Sequence, residues 1–468
     1  MEIKLSFLGA AGNVTGSRYL LQANGSTLLI DCGLHQERHL RERDWDDFAI
    51  DPAKIDVVLL THAHLDHCGY LPRLVSHGFK GKVFCTSATG EIARIILMDA
   101  AKIQAEDADF KNKRHRKENR KSDKDVMPLY SIEDAAKCDP LFSSVPYETP
   151  THIIDGVEAT FHEAGHILGA SSIRLRLKNN QQTRTVLFSG DVGRWNRPIL
   201  RDPTPAHDAD YVLIESTYGD RTHENPENKN RLLCDVINST RKAGGNIIIP
   251  SFAVERSQEI LYHLNQLLKE DCIPNLMVFL DSPMAVRVTE VFEKHPELFD
   301  KEMLKLMKKH ESPFDFTGLA MTSTSNQSKA INHIKGTVIV IAGSGMCTGG
   351  RIKHHLVNNI TRKESTILFV GYQAIETLGR TIVDGATEVR ILGQNYPVRA
   401  RIERIHGFSG HADKGELDQW LAGMKKPPKH VFVVHGEEKS ANHFANHLRE
   451  KNGWKVSLPR YRETVTLD

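Results

Sequence analysis

The hydrophobic pattern up to residue 90 is that of a β-sheet. Short apolar runs, several of them separated by Gly-rich turns, predict strands at 3–8, 17–23, 27–31, 57–60 and 83–86. From Glu91 onward apolar residues recur at helical spacing, and further strands are expected at 153–161, 172–177 and 185–189. The helical segment leads into a basic run, 111–121, which fits either a solvated surface or part of a nucleic-acid path.

A different rhythm begins after residue 218, where an apolar strand, a short loop and a helix follow one another repeatedly. Strands at 246–250, 276–280, 337–342 and 366–370 each precede a helical segment, at 256–268, after Asp281, at 349–357 and at 378–383. This pattern predicts a parallel α/β sheet covered on both faces, with ligands at the carboxyl ends of its strands.

The end of the chain returns to the first pattern, with a buried strand at 430–434 and a helix at 439–451. We therefore predict that the second domain is inserted into the first. The expected boundaries are 1–218 and 401–468 for the two parts of the first domain and 219–400 for the insertion.

Composition narrows the class of protein. With 468 residues, 40% hydrophobic and 26% charged, the chain is expected to form a globular protein of two domains. The formal net charge of +2 gives no information about nucleic acid. The seven cysteines are scattered and form no C-x-x-C pair, which is typical of reduced thiols in a cytoplasm. No apolar run approaches the ~20 residues that cross a bilayer, so we expect a cytoplasmic protein that does not contact membranes.

A cluster of metal-binding residue types follows the apolar run 57–60. Residues 61–67 read Thr-His-Ala-His-Leu-Asp-His, and neutral nitrogen with anionic oxygen donors suits a divalent transition metal, most often zinc. His62 and His64 lie two apart, so both imidazoles project to one side of an extended segment, and Asp66 and His67 can face a second ion. Accidental clustering is the alternative in a chain with 24 histidines, but this spacing after a buried strand favours a metal site.

Two later positions have chemistry that would complete such a site. His166 lies in a Gly-containing loop between strands, and Asp191 ends the predicted strand that begins near residue 185. Taken singly, each is more often a hydrogen-bonded or capping residue. Together with the cluster at 62–67 they predict a dinuclear metal site.

At this point the sequence resembles a known superfamily. Asp31, the cluster at 62–67, His166 and Asp191 resemble the four sequential motifs of the metallo-β-lactamase fold, an αββα sandwich that binds two metals at one edge. The segments 215–220 (Glu-Ser-Thr-Tyr-Gly-Asp), 408–413 (Phe-Ser-Gly-His-Ala-Asp) and 433–437 (Val-Val-His-Gly-Glu) resemble three further motifs of its β-CASP branch. The resemblance spans nearly the whole chain and includes the inserted parallel α/β domain.

His435 in the last motif is typical of the members that act on RNA. The chain is therefore similar to prokaryotic homologues of the endonuclease subunit of the cleavage and polyadenylation specificity factor. The resemblance implies two Zn²⁺ ions, although Mn²⁺ suits the same donors. It implies metal ligands in two sets joined by one bridging carboxylate: His62, His64 and His166; Asp66, His67 and His435; and Asp191 between them.

The resemblance also implies roles outside the ligand shell. Asp31 would orient a metal-bound histidine. The paired metals would activate a water as hydroxide for attack on phosphorus. Catalytic roles fall to Asp66 and to His411, a general acid that Glu215 holds in position. The alternative is that Glu215 caps a helix and His411 is only buried, and the resemblance favours catalysis.

Contacts with a nucleic acid are expected in the inserted domain. The loop 343–351 is neither a Walker loop nor a dinucleotide fingerprint, but its backbone amides fit a phosphate as well as they fit a tight structural turn. Each residue that we predict to contact RNA would also fit an ordinary surface position: Arg256, Lys329, Ser344, Gly345, Arg351 and Ser409. The resemblance implies Gly at position 376, where this chain has Glu376. An acidic side chain there is expected to change the shape of the cleft wall.

The sequence therefore predicts a zinc-dependent endo- or exoribonuclease that cuts single-stranded RNA in a cleft between two domains, with a homodimer typical of the prokaryotic relatives. A small-molecule thioester or lactam hydrolase is the first alternative, but it has no use for so large an insertion. A non-catalytic RNA-binding scaffold is the second, but inactive relatives usually lose ligands and here none is missing.

Overall fold

The computed structural model describes residues 2–117, 125–179, 182–223, 228–374 and 376–468. The chain divides into two compact units. The first unit contains Met1–Asn196, Arg201–Thr222 and His411–Asp468, and the second contains Arg197–Leu200 and His223–Gly410. Residues 401–410 therefore group with the inserted unit.

Two sheets form the centre of the first unit. The first sheet contains β1 (Ile3–Phe7), β2 (Tyr19–Ala23), β3 (Ser26–Ile30), β4 (Val57–Leu59), β5 (Lys82–Cys85), β6 (Phe142–Ser144) and β22 (Thr464–Leu467), in the order β22-β1-β2-β3-β4-β5-β6. The second contains β7 (Thr151–Ile154), β8 (Val157–Glu163), β9 (Ser171–Asn179), β10 (Gln182–Phe188), β11 (Tyr211–Ile214), β20 (His430–Val433) and β21 (Val456–Ser457), in the order β21-β20-β11-β10-β9-β8-β7. Strands β3 to β6 are parallel, and so are β10, β11, β20 and β21.

Alternate residues of the second sheet face two different cores. Val186 and Phe188 pack against the first sheet, whereas Leu187 between them packs against helices on the outer face. Burial on both faces explains why the parallel strands read as continuous apolar runs. The helices of the first unit are α1 (Leu65–Cys68), α2 (Leu71–Ser76), α3 (Ser87–Lys117), α4 (Ile132–Lys137), α12 (Lys414–Leu421) and α13 (Glu438–Asn452). The last two cover the second sheet, and the unit is the expected αββα sandwich.

The second unit contains a parallel sheet. Its strands are β12 (Ile247–Pro250), β13 (Met277–Leu280), β14 (Leu319–Met321), β15 (Val338–Ala342), β16 (Thr366–Phe369) and β19 (Arg401–Arg404), in the order β14-β13-β15-β12-β16-β19. A hairpin is formed by β17 (Glu388–Ile391) and β18 (Gln394–Pro397). The helices are α5 (Lys229–Ala243), α6 (Arg256–Lys269), α7 (Pro283–Lys294), α8 (Lys301–Lys308), α9 (Ser325–Ile331), α10 (Ile352–Asn359) and α11 (Leu378–Val383). The predicted parallel α/β architecture is confirmed.

Three local expectations need correction or qualification. The single strand predicted at 153–161 is two antiparallel strands, β7 and β8, because Asp155-Gly156 forms the turn of a hairpin. Cys234 and Cys272, predicted to be reduced, form a disulfide with their Cα atoms 6.2 Å apart. Of the basic run, residues 111–117 continue α3 and 118–121 lie outside the described residues. Within the described ranges, no helix has the length and apolar character that a membrane crossing requires.

A buried carboxylate organises the polar interior of the second unit. Glu259 on α6 is fully buried and accepts hydrogen bonds from Arg197 at 2.8 Å, Lys229 at 3.0 Å and Arg256 at 3.0 Å. Burial opposes the charged form of Glu259, but the surrounding cations outweigh burial and hold its pKa well below the ordinary value. The network joins the short segment Arg197–Leu200 to α5 and α6.

Replacing this carboxylate should strongly destabilise the protein. In Glu259→Gln three cations that are largely shielded from water lose the negative charge they share, so we expect the free energy of unfolding to fall by about 3–5 kcal/mol in urea denaturation. Glu311→Gln is the matched control, because Glu311 pairs with Lys269 at 2.7 Å in an exposed position and should leave the urea midpoint nearly unchanged. Equal midpoints for Glu259→Gln and wild type would contradict the role of Glu259.

Candidate metal centre

Several predicted metal-site residues of the first unit directly follow the carboxyl ends of parallel strands. Asp31 follows β3 and His62 follows β4, and Ile30 of β3 is in register with Leu59 of β4. Parallel neighbours end at the same edge of a sheet, which brings the two segments together. Asp31 has φ +58°, a left-handed conformation that Asp tolerates better than most residues and that turns the chain away from the strand.

The second sheet delivers its side chains in the same way. Asp191 follows β10, Glu215 follows β11 and His435 follows β20. The left-handed conformations of Gly190 (φ +56°) and His435 (φ +48°) turn the chain at these strand ends. The Ser216 amide donates to the His435 carbonyl at 3.1 Å, so the two loops that follow β11 and β20 are directly bonded.

One cluster contains three imidazoles and a carboxylate oxygen. His64 Nδ1 lies 3.1 Å from His62 Nε2 and 3.1 Å from His166 Nε2. Asp191 Oδ2 lies 3.3 Å from His62 Nε2 and 3.4 Å from His166 Nε2. Burial lowers the pKa of His62 to about 3 and that of His64 to about 4, so these rings are neutral, as ligands must be.

A second cluster lies on the other oxygen of the same carboxylate. Asp191 Oδ1 is 3.3 Å from His67 Nε2 and 3.5 Å from His435 Nε2, and those two nitrogens are 3.1 Å apart. Asp66 Oδ2 lies 3.5 Å from His435 Nε2. Burial opposes protonation of His67, but the carboxylates of Asp191 and Asp31 outweigh it and raise the pKa of His67 well above the ordinary value. A cation bound here would compete with that proton.

The hydrogen bonds fix which nitrogens face the clusters. His67 Nδ1 donates to Asp31 Oδ2 at 2.7 Å, because a carboxylate only accepts. The Thr217 hydroxyl lies 3.2 Å from the His435 carbonyl and donates to it, so it accepts from His435 Nδ1 at 3.1 Å. In their neutral forms both rings therefore present an Nε2 lone pair to the same buried point.

This donor set fits metal ions. The neighbouring donor atoms are 3.1–3.5 Å apart, except for Asp66 Oδ2 and His67 Nε2 at 4.0 Å. Four donors at about 2.0–2.1 Å from a zinc ion would be separated by about 3.3–3.4 Å. Asp191 Oδ1 is buried without a hydrogen-bond partner among the described residues, which a cation would remedy. All seven predicted ligands are brought together, in groups of His62, His64, His166 and Asp191 and of Asp66, His67 and His435.

Two threonines support the imidazoles and were not predicted. Asp31 accepts from the Thr61 amide at 2.7 Å and from the Thr61 hydroxyl at 2.8 Å, and that hydroxyl is 3.0 Å from His62 Nδ1. Thr217 has the corresponding position beside His435. The signal was present in the sequence, because each threonine stands next to or within a motif that carries a functional residue.

Glycines permit the loops to cross at contact distance. A Cβ at Gly33 would overlap the carbonyl of Asp66, and a Cβ at Gly193 would overlap the carbonyl of Gly165, next to His166. Both crossings fix the separation of a ligand-bearing loop from its neighbour.

His411 and Glu215 form a pair beside the first cluster. His411 Nδ1 lies 3.2 Å from Glu215 Oε2 and 3.8 Å from Asp191 Oδ2. Glu215 is fully buried and also accepts from the Val192 amide at 2.7 Å, whereas the His411 side chain is 21% exposed. Burial disfavours the charged form of His411, but Glu215 and Asp191 outweigh it and raise its pKa to about 9. The arrangement favours the protonated form of a ring that is partly open to solvent.

The residues predicted to contact RNA all lie in the second unit. Arg351 donates to Asp281 at 2.6 Å and to the carbonyls of Thr322 and Ser323, and Arg256 donates to buried Glu259, so both guanidinium groups hold the fold together. Lys329 on α9 is exposed, and Ser409 is half-buried.

The loop after β15 is organised by its own side chain. The Ser344 hydroxyl accepts from the amides of Thr348 at 3.0 Å and Gly349 at 3.3 Å, and buried Gly345 packs against Phe252. Glu376 has φ +66°, a conformation that glycine adopts without strain. The Gly that the resemblance implies at this position would therefore fit the backbone.

The comparisons with known proteins identify the family. Residues 11–220 match the metallo-beta-lactamase superfamily, 257–382 match the Beta-Casp domain, and 395–459 match the Zn-dependent metallo-hydrolase RNA specificity domain. Ribonuclease TTHA0252 of Thermus thermophilus is 37% identical over 458 residues, which cover 98% of each chain. Transcription termination factor FttA of Methanocaldococcus jannaschii is 30% identical over 460 residues, 96% of this chain and 69% of that protein.

The fold has a solved counterpart as well. The crystal structure of a protein of unknown function from Enterococcus faecalis V583 matches with a TM-score of 0.55 at 13% identity, over 100% of both chains. The chain belongs to the metallo-β-lactamase superfamily. Within that superfamily it is a member of the β-CASP branch, the group of Ribonuclease TTHA0252.

Removing the carboxylate behind His67 should weaken metal binding without removing a ligand. Asparagine also tolerates the left-handed conformation at residue 31, but the amide of Asp31→Asn is a poorer acceptor for His67 Nδ1. We expect zinc affinity, measured by competition with a chromophoric chelator, to fall by about 10- to 100-fold. Asp51→Asn, at an exposed 3-10 helix cap, is the control and should bind zinc as wild type does. Unchanged affinity in Asp31→Asn would contradict the role of Asp31.

Proposed function

We propose that this protein is a ribonuclease that uses two zinc ions to hydrolyse phosphodiester bonds of single-stranded RNA. The observation that carries the proposal is the pair of His411 and Glu215 beside a ligand set from which no member is missing. The names of the matching relative, a ribonuclease, and of the matching RNA specificity domain support an RNA substrate. The homodimer expected from the resemblance can be checked by light scattering of the purified chain.

The two clusters divide the metal-binding work. His62, His64 and His166 would hold one ion, Asp66, His67 and His435 the other, and Asp191 would give one oxygen to each. When bound, such an ion pair supplies Lewis-acid chemistry that activates water and offsets charge on the phosphate. Imidazole-rich donor sets favour zinc, and manganese is the competitor for the same donors.

His411 would donate the proton that the departing ribose oxygen needs. Its Nδ1–H is directed to the Glu215 carboxylate, so the other ring nitrogen of the imidazolium carries the transferable proton. The Val192 amide bonded to Glu215 Oε1 fixes the carboxylate, which in turn fixes the plane of the ring. The 3.8 Å distance from His411 to Asp191 keeps the acid adjacent to the first cluster.

The residues predicted to contact RNA divide into one exposed cation and several residues that are bonded within the fold. Exposed Lys329 is suited to direct contact with a phosphate, since its ammonium is a strongly hydrated point charge at the surface. Arg256, Arg351, Ser344 and Gly345 would contribute chiefly by fixing the loops at the carboxyl edge of the parallel sheet. Ser409 lies two residues before His411 in the sequence and would position that segment.

Substitution of the proposed acid separates catalysis from metal binding. We expect His411→Ala to retain its metal, measured by inductively coupled plasma mass spectrometry, and to cut unstructured RNA about 10²- to 10⁴-fold more slowly. His447→Ala is the matched control, because His447 is a similarly exposed histidine paired with a carboxylate, Asp418, at 2.7 Å. Cleavage by His411→Ala at the rate of wild type would overturn the acid assignment.

A chelator should abolish cleavage, and zinc should restore it. RNA labelled separately at its 5′ and 3′ ends would give internal fragments from endonucleolytic action and a ladder or mononucleotides from exonucleolytic action. Turnover of a thioester without any cleavage of RNA would overturn the proposed function in favour of a small-molecule hydrolase.

A further inference from the structure

A second group of metal-ligand side chains lies in the first unit and shares no residue with the two clusters above. Its members are Glu148, which follows β6, His162 on β8 and His207, which precedes β11. Each offers one ligand atom, and these atoms all lie within 4.8 Å of one another. Neither the sequence motifs nor the proposed reaction uses any of the three.

The tautomer of His162 is fixed by its carboxylate partner. His162 Nδ1 donates to Glu148 Oε2 at 2.6 Å, so the neutral ring presents a lone pair at Nε2. Nε2 is buried and has no hydrogen-bond partner in the part of the chain that the structure describes, and only 7% of the His162 side chain is exposed. An unsatisfied buried acceptor beside another imidazole is the state that a bound cation would correct. The pair repeats the arrangement of Asp31 and His67.

The neighbouring histidine is placed to share such a cation. The rings of His162 and His207 have centroids 4.2 Å apart, and one ring nitrogen of each lies within 4.8 Å of the other. His207 and Glu148 are exposed, so rotation of their side chains can bring donor atoms to coordination distance. Arg174 Nε donates to the Asp208 carbonyl at 2.9 Å and fixes the segment that carries His207.

We propose that Glu148, His162 and His207 form an additional binding site for a divalent transition-metal ion of the zinc class, separate from the catalytic centre. Water would complete the coordination, since the site is open on the side of His207. The ion would join the segment before β11 to β8, whose end leads into the loop that carries His166. Thr204 already makes the same connection, through its hydroxyl to Glu148 Oε1 at 3.3 Å and its amide to the Glu163 carbonyl at 2.8 Å.

Metal counting on the full chain tests the site. Protein stripped with a chelator and dialysed against buffered Zn²⁺ should bind one equivalent more as wild type than as His207→Ala. His152→Ala is the matched control, because His152 is an exposed histidine of the adjacent strand β7 with a carboxylate, Asp155, at 4.0 Å and should match wild type. Glu148→Gln should bind the extra ion more weakly. Because the readout is a difference between variants, it does not depend on ribonuclease activity.

If His207→Ala also changes the metal content of the two main clusters, X-ray diffraction of the wild-type chain tests the additional site directly. Crystals of the wild-type chain in zinc, measured at the zinc edge, should show an anomalous peak between Glu148, His162 and His207. Equal zinc content in wild type and His207→Ala, or the lack of that peak while the main clusters are filled, would overturn the proposal. Glu148 and His162 would then form an ordinary hydrogen-bonded pair. The proposal would also be overturned if the extra equivalent of zinc bound only when free Zn²⁺ was raised above the buffered concentration.

Discussion

The centre of the first unit depends on one buried carboxylate. Asp191 is 2% exposed and has four imidazole nitrogens within 3.5 Å, two near each oxygen, with that of His411 at 3.8 Å. A carboxylate in such a position needs positive charge nearby, because burial alone would strongly disfavour its ionised form. The two sheets must end at the same edge to supply these imidazoles. The packing of the two sheets and the geometry of the metal site therefore depend on each other.

The same chemical pair occurs in different settings with different consequences. His67 with Asp31 and His411 with Glu215 each combine an imidazole Nδ1 and a carboxylate. His67 is enclosed and its other nitrogen faces a second imidazole, which suits a ligand. His411 is partly exposed, which suits the proton transfer proposed for it. The environment around the ring, more than the pair itself, separates the two proposed roles.

Much of this arrangement follows from local sequence. Apolar strands that end in a His or Asp predicted the edge at which the site lies, because parallel strands align their ends. The strands β14 and β19 were missed, since both are short and only partly buried, and three of the four residues of β19 are charged. The disulfide was missed because Cys234 and Cys272 lie 38 residues apart, one on α5 and one beyond α6. The network around Glu259 joins charges from distant segments, which no periodicity reveals.

The glycines at the loop crossings should be as sensitive to substitution as the metal ligands themselves. A Cβ at Gly33 or Gly193 would overlap backbone atoms and not a ligand side chain, yet it would push a ligand-bearing loop out of place. A saturation scan of this chain would therefore score both positions as intolerant as the histidines themselves. The set of sensitive positions would then extend beyond the residues that take part in the chemistry, because the site depends on the spacing between backbones as well as on the donor atoms.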